Sequence, residues 1–438
     1  MRPSARIAAL IELLTDVEEG IAVSGAPADV LTSNYFRARR YAGSKDRRAI
    51  TEMLYAILRK RELLLWALGA HEKTARNLVI TYLVHFEPES LELLDEGGQF
   101  ATEVLTDDEK NLIEIMRDSK LDTAPVAIGL NIPTWAMKGF EDRFGEAFSE
   151  GASALNVSAP LTLRINPLKV NLEFIDEFIK TEEGFEKTKF SNFGVWTIKN
   201  VGLGGIPAYK RGQLEVQDEA AQVASLLVDT KPGMQVTDFC AGAGGKTLMV
   251  SAQMENKGQI YAFDISEKRL TECRKRLERS GNRNVQVTRI ATRGEGRKVA
   301  LTPLEAHCDR VYVDVPCSGT GTWRRSPDQR WRLKTEADLR DLCNKQMALL
   351  SEGASLVKKG GRLIYMTCSI LPSENETIIN AFMKETTANW RLMDYRDVWA
   401  EALPSECPET ASFDSKMLQL VPHIHGTDGF FVAILERV

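Results

Sequence analysis

From residue 216 onward, strand-like and helix-like stretches alternate, and this restricts the fold more than any other feature of the chain. "MQVTDFC" (234–240), "GQIYAFD" (258–264), "NVQVTRI" (284–290), "DRVYVDV" (309–315) and "GRLIYMTC" (361–368) are short runs rich in aliphatic, β-branched and aromatic residues, the composition of strands. Between them lie helical stretches. "SEKRLTECRKRLERSG" (266–281) has Ser266 placed to cap it. A helix follows near "LRDLCNKQMALLSEGASLV" (339–357), and "SENETIINAFMKE" (373–385) opens like a capping box. Such alternation predicts an α/β fold with a doubly wound, mostly parallel sheet. The end, "MLQLVPHIHGTDGFFVAILE" (417–436), reads as two strands around a turn and predicts an antiparallel edge.

At 438 residues the chain exceeds one ordinary core. Residues 1–140 read as an all-helical domain, because "ARIAALIELLTDVEEG" and "DRRAITEMLYAILRKRELLLWAL" carry apolar residues at helical spacing. Residues 141–215 read as a small α+β connecting subdomain. They hold the strand-like "APLTLRINPLKVN", ended by Pro167, and the glycine-rich "NVGLGGIPAYKRGQ". Residues 216–438 form the α/β domain.

No apolar run approaches the roughly 20 residues that span a membrane. Acidic residues directly follow the first apolar stretch, with no small-residue cleavage site, so a cytoplasmic protein is expected. The seven cysteines are widely spaced with no C-x-x-C pair, which predicts reduced thiols rather than a disulfide framework or zinc ribbon. A formal net charge of −5 leaves any nucleic-acid contact to local basic patches such as "FRARRYAGSKDRR" (36–48).

In doubly wound sheets ligands bind beyond the carboxyl ends of the strands. "DFCAGAGGKT" (238–247) lies there, with Gly242, Gly244 and Gly245 permitting a tight turn onto a helix N-terminus. Asp264 ends the next strand, where a carboxylate can accept from both ribose hydroxyls of a nucleoside. A P-loop would need glycine at position 240, which is Cys240, and a dinucleotide fingerprint would need glycine at 247, which is Thr247. S-adenosylmethionine, a nucleoside with an amino-acid tail, fits best.

Cys317 and Cys368 each follow a strand, on the edge that carries the glycine turn, with Asp314 three residues before Cys317. A thiolate adding to carbon-6 of a pyrimidine makes carbon-5 enamine-like and able to accept a methyl group. Asp314 is placed to stabilise charge near N3, and a second thiol can assist elimination. These residues alone leave open which thiol does which.

"DFCAGAGGKT", "YAFDIS", "VDVPCSGTGTWRRSPDQRWR", "YMTCSILPSENE" and "HGTDGFFVA" resemble the successive motifs of the RsmB/Nop2/Sun RNA cytosine-5 methyltransferases, over about residues 155–438. The helical N-terminus resembles the NusB-like RNA-binding domain of the bacterial RsmB branch. The resemblance implies a Rossmann-like methyltransferase core using S-adenosylmethionine, with Cys368 as nucleophile and Cys317 assisting product release. It assigns the cofactor to Cys240, Ala241, Gly242, Ala243, Gly244, Gly245, Lys246, Asp264 and Asp314. Lys246 can also meet the cofactor's carboxylate or an RNA phosphate. Two positions depart from the family pattern. Ala243 stands where proline is common, and Ala291 or Thr292 stands where an acid usually meets adenine.

"TWRRSPDQRWRLK" (322–334) interleaves arginines with Trp323 and Trp331. Arg324, Arg325 and Arg330 are candidate RNA contacts; the alternative is a loop tied down internally around a buried Trp. His423 and His425 make no metal site, and none is expected. The expected substrate is a structured RNA with an unpaired or flipped cytosine, small-subunit ribosomal RNA being favoured by the resemblance. Transfer RNA, or a catalytically weak RNA-binding assembly factor, are the alternatives. A monomer is expected.

Overall fold

The computed structural model describes residues 1–23, 25–199 and 201–438; Ser24 and Asn200, which begins the glycine-rich stretch, lie outside the described residues. Two compact units emerge. One comprises Met1–Glu141, Glu146–Val157 and Thr322–Asp338, and the other Asp142–Gly145, Ser158–Gly321 and Leu339–Val438. Residues 322–338, expected inside the α/β domain, thus belong to the helical unit.

The helical unit is built around the helix Pro3–Ala22, whose Ile7, Leu10, Leu14, Val17 and Ile21 recur every three or four residues and are buried. Against it pack Ile50, Leu54, Ile57 and Leu58 of Ser44–Leu58, and Leu78, Val79 and Leu83 of Ala75–Phe86. Each such side chain contributes about 1.5–3 kcal/mol on burial. Thr74 caps Ala75–Phe86 by accepting from the Asn77 N–H, and Thr106 with Glu109 forms a capping box at Asp107–Asp118. Trp331 completes this core.

The second unit holds two sheets. Strands β1 (Leu161–Ile165), β2 (Glu186–Lys187), β3 (Gly194–Thr197) and β4 (Leu214–Val216) form an antiparallel sheet in the order β2-β3-β1-β4. The larger sheet contains β5 (Gln235–Asp238), β6 (Gln259–Asp264), β7 (Val285–Arg289), β8 (Cys308–Asp314), β9 (Val357–Thr367), β10 (Trp390–Leu392), β11 (Leu418–Leu420) and β12 (Phe430–Arg437). Its order is β10-β12-β9-β8-β5-β6-β7, with β11 also paired to β12. Strands β5 to β9 pair in parallel, and β12 runs antiparallel to β9, β10 and β11. The doubly wound sheet and its antiparallel edge are therefore present. The order reverses between β5 and β8, which makes the crevice above them the topological switch point.

Alternate residues of the central strands serve opposite faces. Tyr312, Ile364, Met366 and Ile434 join one core, while Val311, Val313, Leu363, Tyr365 and Leu435 join the other. Cover on both faces explains the unbroken apolar runs Val311–Val313, Leu363–Met366 and Phe430–Leu435. Among the described residues, no helix is long and apolar enough to cross a membrane.

Candidate active site

The glycine turn after β5 uses its glycines for different reasons. Gly242 has φ 55° and Gly244 φ 80°, both in the left-handed region. A Cβ on Gly244 would lie 2.6 Å from Cys273 Sγ, whereas one on Gly242 would meet nothing within 4 Å. Gly244 is thus required by packing, while Gly242 borders open space. The helix Gly245–Gln253 starts directly behind. Burial pushes the Cys240 thiol well above its usual value. Ala241 donates its N–H to Phe263 O (2.8 Å), and Ala243 O accepts from Arg276 Nη1 (3.0 Å), so both brace the turn.

Asp264 ends β6 and accepts from the Gly242 N–H (2.9 Å) through Oδ2 and the Ser266 N–H (2.7 Å) through Oδ1. Each carboxylate oxygen retains acceptor capacity. A fixed carboxylate beside the open face of Gly242 fits a ribose diol, so Asp264 and residues 240–245 suit the nucleoside part of S-adenosylmethionine. Asp238, buried at the root of the turn, accepts from Thr247 Oγ1 and Tyr312 OH, both 2.6 Å away. Burial pushes its carboxyl up to about 6, and those two hydrogen bonds oppose the rise. After β7, Ala291 O accepts from Arg297 Nη1 (2.9 Å), and Arg297 pairs with Glu352 (2.6 Å).

Lys246 turns toward the ends of β8 and β9. Its Nζ lies 2.5 Å from Asp314 Oδ2 and 4.8 Å from the Phe430 ring centroid. Burial acts to lower the ammonium, but Asp314 outweighs it and raises the lysine overall, and Cys368 also acts on it electrostatically. Cys317 Sγ and Cys368 Sγ are 3.2 Å apart. Adjacent parallel strands produce this contact. Asp314 of β8 is level with Met366 of β9, so residues just beyond both strand ends arrive side by side. The hydrogen bond to Cys368, then burial, push the Cys317 thiol well above its usual value, so Cys317 keeps its proton.

The stretch read as a capping box does something else. Asn375 is the N-cap of the helix Glu376–Glu385 and makes no side-chain cap bond. Instead Asn375 Nδ2 donates to Ser369 O (3.0 Å), and Asn375 Oδ1 accepts from Thr367 Oγ1 (2.6 Å). Glu374, fully buried, accepts from the Ser318 N–H (2.8 Å), Ser318 Oγ (2.5 Å), Gln346 Nε2 (2.9 Å) and Ser369 Oγ. The local helix-start pattern concealed these distant partners.

The structure places the expected RNA contacts differently. Arg330 is 1% exposed, donating to Asn156 Oδ1 (2.6 Å) and Leu155 O (2.8 Å) with its guanidinium 5.1 Å from the Trp323 ring centroid. Burial, with Arg59 nearby, pushes it down to about 9. Arg324 is also buried, and its carbonyl accepts from Arg59 Nη2 (3.0 Å). Trp323 is stacked on Phe140 (5.3 Å) and edge-on to Trp135 (6.0 Å). Arg330 is therefore bonded within the helical unit and Arg324 is buried, while Arg325 stays partly exposed. His425 is held by Val421 and the Glu409 carbonyl. Among the described residues, no group of three or more His, Cys, Asp or Glu is placed to hold a metal ion.

Residues 225–436 match the family model described as 16S rRNA methyltransferase RsmB/F. The probable ribosomal RNA small subunit methyltransferase B of Synechocystis sp. is 34% identical over 327 residues, 72% of this chain and 70% of that protein. Its counterpart from Bacillus subtilis is 30% identical over 308 residues, 70% of this chain and 66% of that protein. Among solved structures, PH0851 matches with TM-score 0.81 at 24% identity, over 100% of this chain and 99% of that one, which shows the fold. A methyltransferase homolog protein from Pyrococcus horikoshii matches with TM-score 0.60 at 26% identity, over 72% of this chain and 98% of that one. The motifs, the sheet and the relatives agree: the chain belongs to the RsmB/Nop2/Sun family of methyltransferases, whose methyl donor is S-adenosylmethionine.

Proposed function

We propose that the protein methylates carbon-5 of an unpaired or flipped cytosine in structured RNA, with small-subunit ribosomal RNA as substrate. The observation that carries this reading is the Cys317–Cys368 contact (3.2 Å) beside the Lys246–Asp314 pair. A methyltransferase acting on oxygen or nitrogen has no need of paired thiols, whereas carbon-5 must first be activated by a nucleophile. The names of the relatives support ribosomal RNA.

Cys368 is the thiol within electrostatic reach of the Lys246 ammonium, on the side of the site that carries Asp314. In this reading its sulfur adds to carbon-6 and forms a covalent adduct. Lys246 and Asp314 are the groups available to follow charge as it develops at the N3 edge. Bound S-adenosylmethionine supplies an electrophilic methyl group. Water takes the carbon-5 proton as the carbon–sulfur bond breaks and Cys368 leaves as thiolate, which restores the ring. Cys317, protonated and touching Cys368, is placed to assist that release. Asp264 and the glycine turn hold the donor's nucleoside.

The test uses deuterated-methyl S-adenosylmethionine with unmodified small-subunit rRNA, transfer RNA and DNA in parallel, read by nucleoside mass spectrometry. Deuterated 5-methylcytidine in the rRNA pool is expected. Label only in transfer RNA would move the substrate, and label on another atom would overturn the carbon-5 chemistry. Cys317→Ala should accumulate a protein–RNA adduct on a denaturing gel and Cys368→Ala should not; the opposite pattern reverses the two roles.

A further inference from the structure

Two buried acids, Glu374 and Glu376, follow Cys368 in the chain, and their surroundings differ. Glu376 is neutralised by Arg143 (Nη2 to Oε2, 2.7 Å). Glu374 faces uncharged donors instead: Ser318 N–H, Ser318 Oγ, Gln346 Nε2 and Ser369 Oγ. Ser318 follows Cys317 and Ser369 follows Cys368, so one carboxylate is bonded to both thiol-bearing loops. The surrounding bonds lock the same junction. Gly321 N–H donates to Cys368 O (3.0 Å), and Ile370 N–H donates to Thr320 Oγ1 (3.0 Å). Gln346 Nε2, while bonded to Glu374, also donates to Pro316 O (3.0 Å).

We propose that Glu374 is a positioning residue of the reaction: it clamps the two thiol loops in contact and acts through its negative charge on Cys317. The groups that face Cys317 are Cys368, Glu374, the Tyr365 phenol and the Gly319 backbone N–H, which opposes the rise, while Lys246, paired with Asp314, lies toward Cys368. A buried, unneutralised carboxylate disfavours a second anion nearby. Glu374 therefore adds to the Cys368 contact and the burial that hold Cys317 as a thiol, while the Lys246 ammonium lies toward Cys368. The two sulfurs, though in contact, are made chemically unequal. Its catalytic meaning rests on the carbon-5 reading above, but the arrangement itself is testable without RNA.

Glu374→Gln tests the charge separately from the clamp. A glutamine oxygen can still accept from Ser318 N–H and Gln346 Nε2, and its amide can donate to the two serine hydroxyls. The full-length protein is alkylated with iodoacetamide across a pH series, and each cysteine is quantified by peptide mass spectrometry, with the partly exposed Cys407 as internal reference. In the wild type, Cys368 should react ahead of Cys317. In Glu374→Gln at about pH 8, Cys317 alkylation should rise about fivefold with Cys407 unchanged, because a nearby negative charge has been removed. A folded Glu374→Gln protein with an unchanged Cys317 profile overturns the proposal. If that variant does not fold, the wild type decides alone: Cys317 reacting first would overturn it. A shift in alkylation without any 5-methylcytidine would keep the Glu374 role and remove the carbon-5 reading; methylation without the shift would do the reverse.

Discussion

Gly242 and Gly244 stand two residues apart in one turn, yet substitution should separate their roles. Alanine at Gly244 must adopt φ 80° and push against Cys273. The expected cost is about 2–4 kcal/mol, from left-handed strain plus overpacking, read as a fall in thermal midpoint. Alanine at Gly242 meets only the backbone strain, about 1–2 kcal/mol. Its Cβ enters the space beside Asp264, so calorimetry should show S-adenosylmethionine binding about tenfold weaker in a nearly native protein. Equal stability losses, or undiminished binding by Gly242→Ala, would contradict this division. The turn and Asp264 were legible in the sequence because backbone requirements are local. Lys246 stood out in the sequence as a candidate site residue, but its partner Asp314 is 68 residues away in sequence. Glu374 was invisible for a related reason: its partners sit in two loops, and its immediate neighbours spell a helix start.

At the scale of elements, the arginine–tryptophan loop shows where composition misleads. Interleaved Arg and Trp describe a stacking surface for bases equally well as a buried cation–aromatic cluster, because both use the same contacts. Only the partners Trp135, Phe140 and Asn156, distant in sequence, decide between them. Trp323→Ala should cost about 3–5 kcal/mol of stability in the full-length protein, as expected for a buried aromatic. Arg325→Ala should weaken RNA binding at low salt, read by filter binding; undiminished binding would remove it from the RNA contacts. An unaffected midpoint in Trp323→Ala, measured by calorimetric unfolding, would refute the structural role. The strands fared better. Their runs of aliphatic, β-branched and aromatic residues reported strands, which is a property of each segment and needs no knowledge of its neighbours.

For the whole molecule, the division into units is not a single cut along the chain. The thread leaves the α/β unit after Gly321, contributes Thr322–Asp338 to the helical unit, and returns at Leu339. A fragment of residues 158–438 would carry Trp331 without the core it joins. Such a fragment should be cut by trypsin within 322–338, at arginines that the intact protein protects; a resistant loop would show that it packs without residues 1–157. The wider consequence concerns descent. Two domains strung end to end can be joined by one recombination, and either can be exchanged freely. Here a second stretch of the gene, inside the catalytic half, encodes part of the helical half. A new helical partner would have to arrive with a matching insert, so the two halves are expected to be inherited together rather than shuffled.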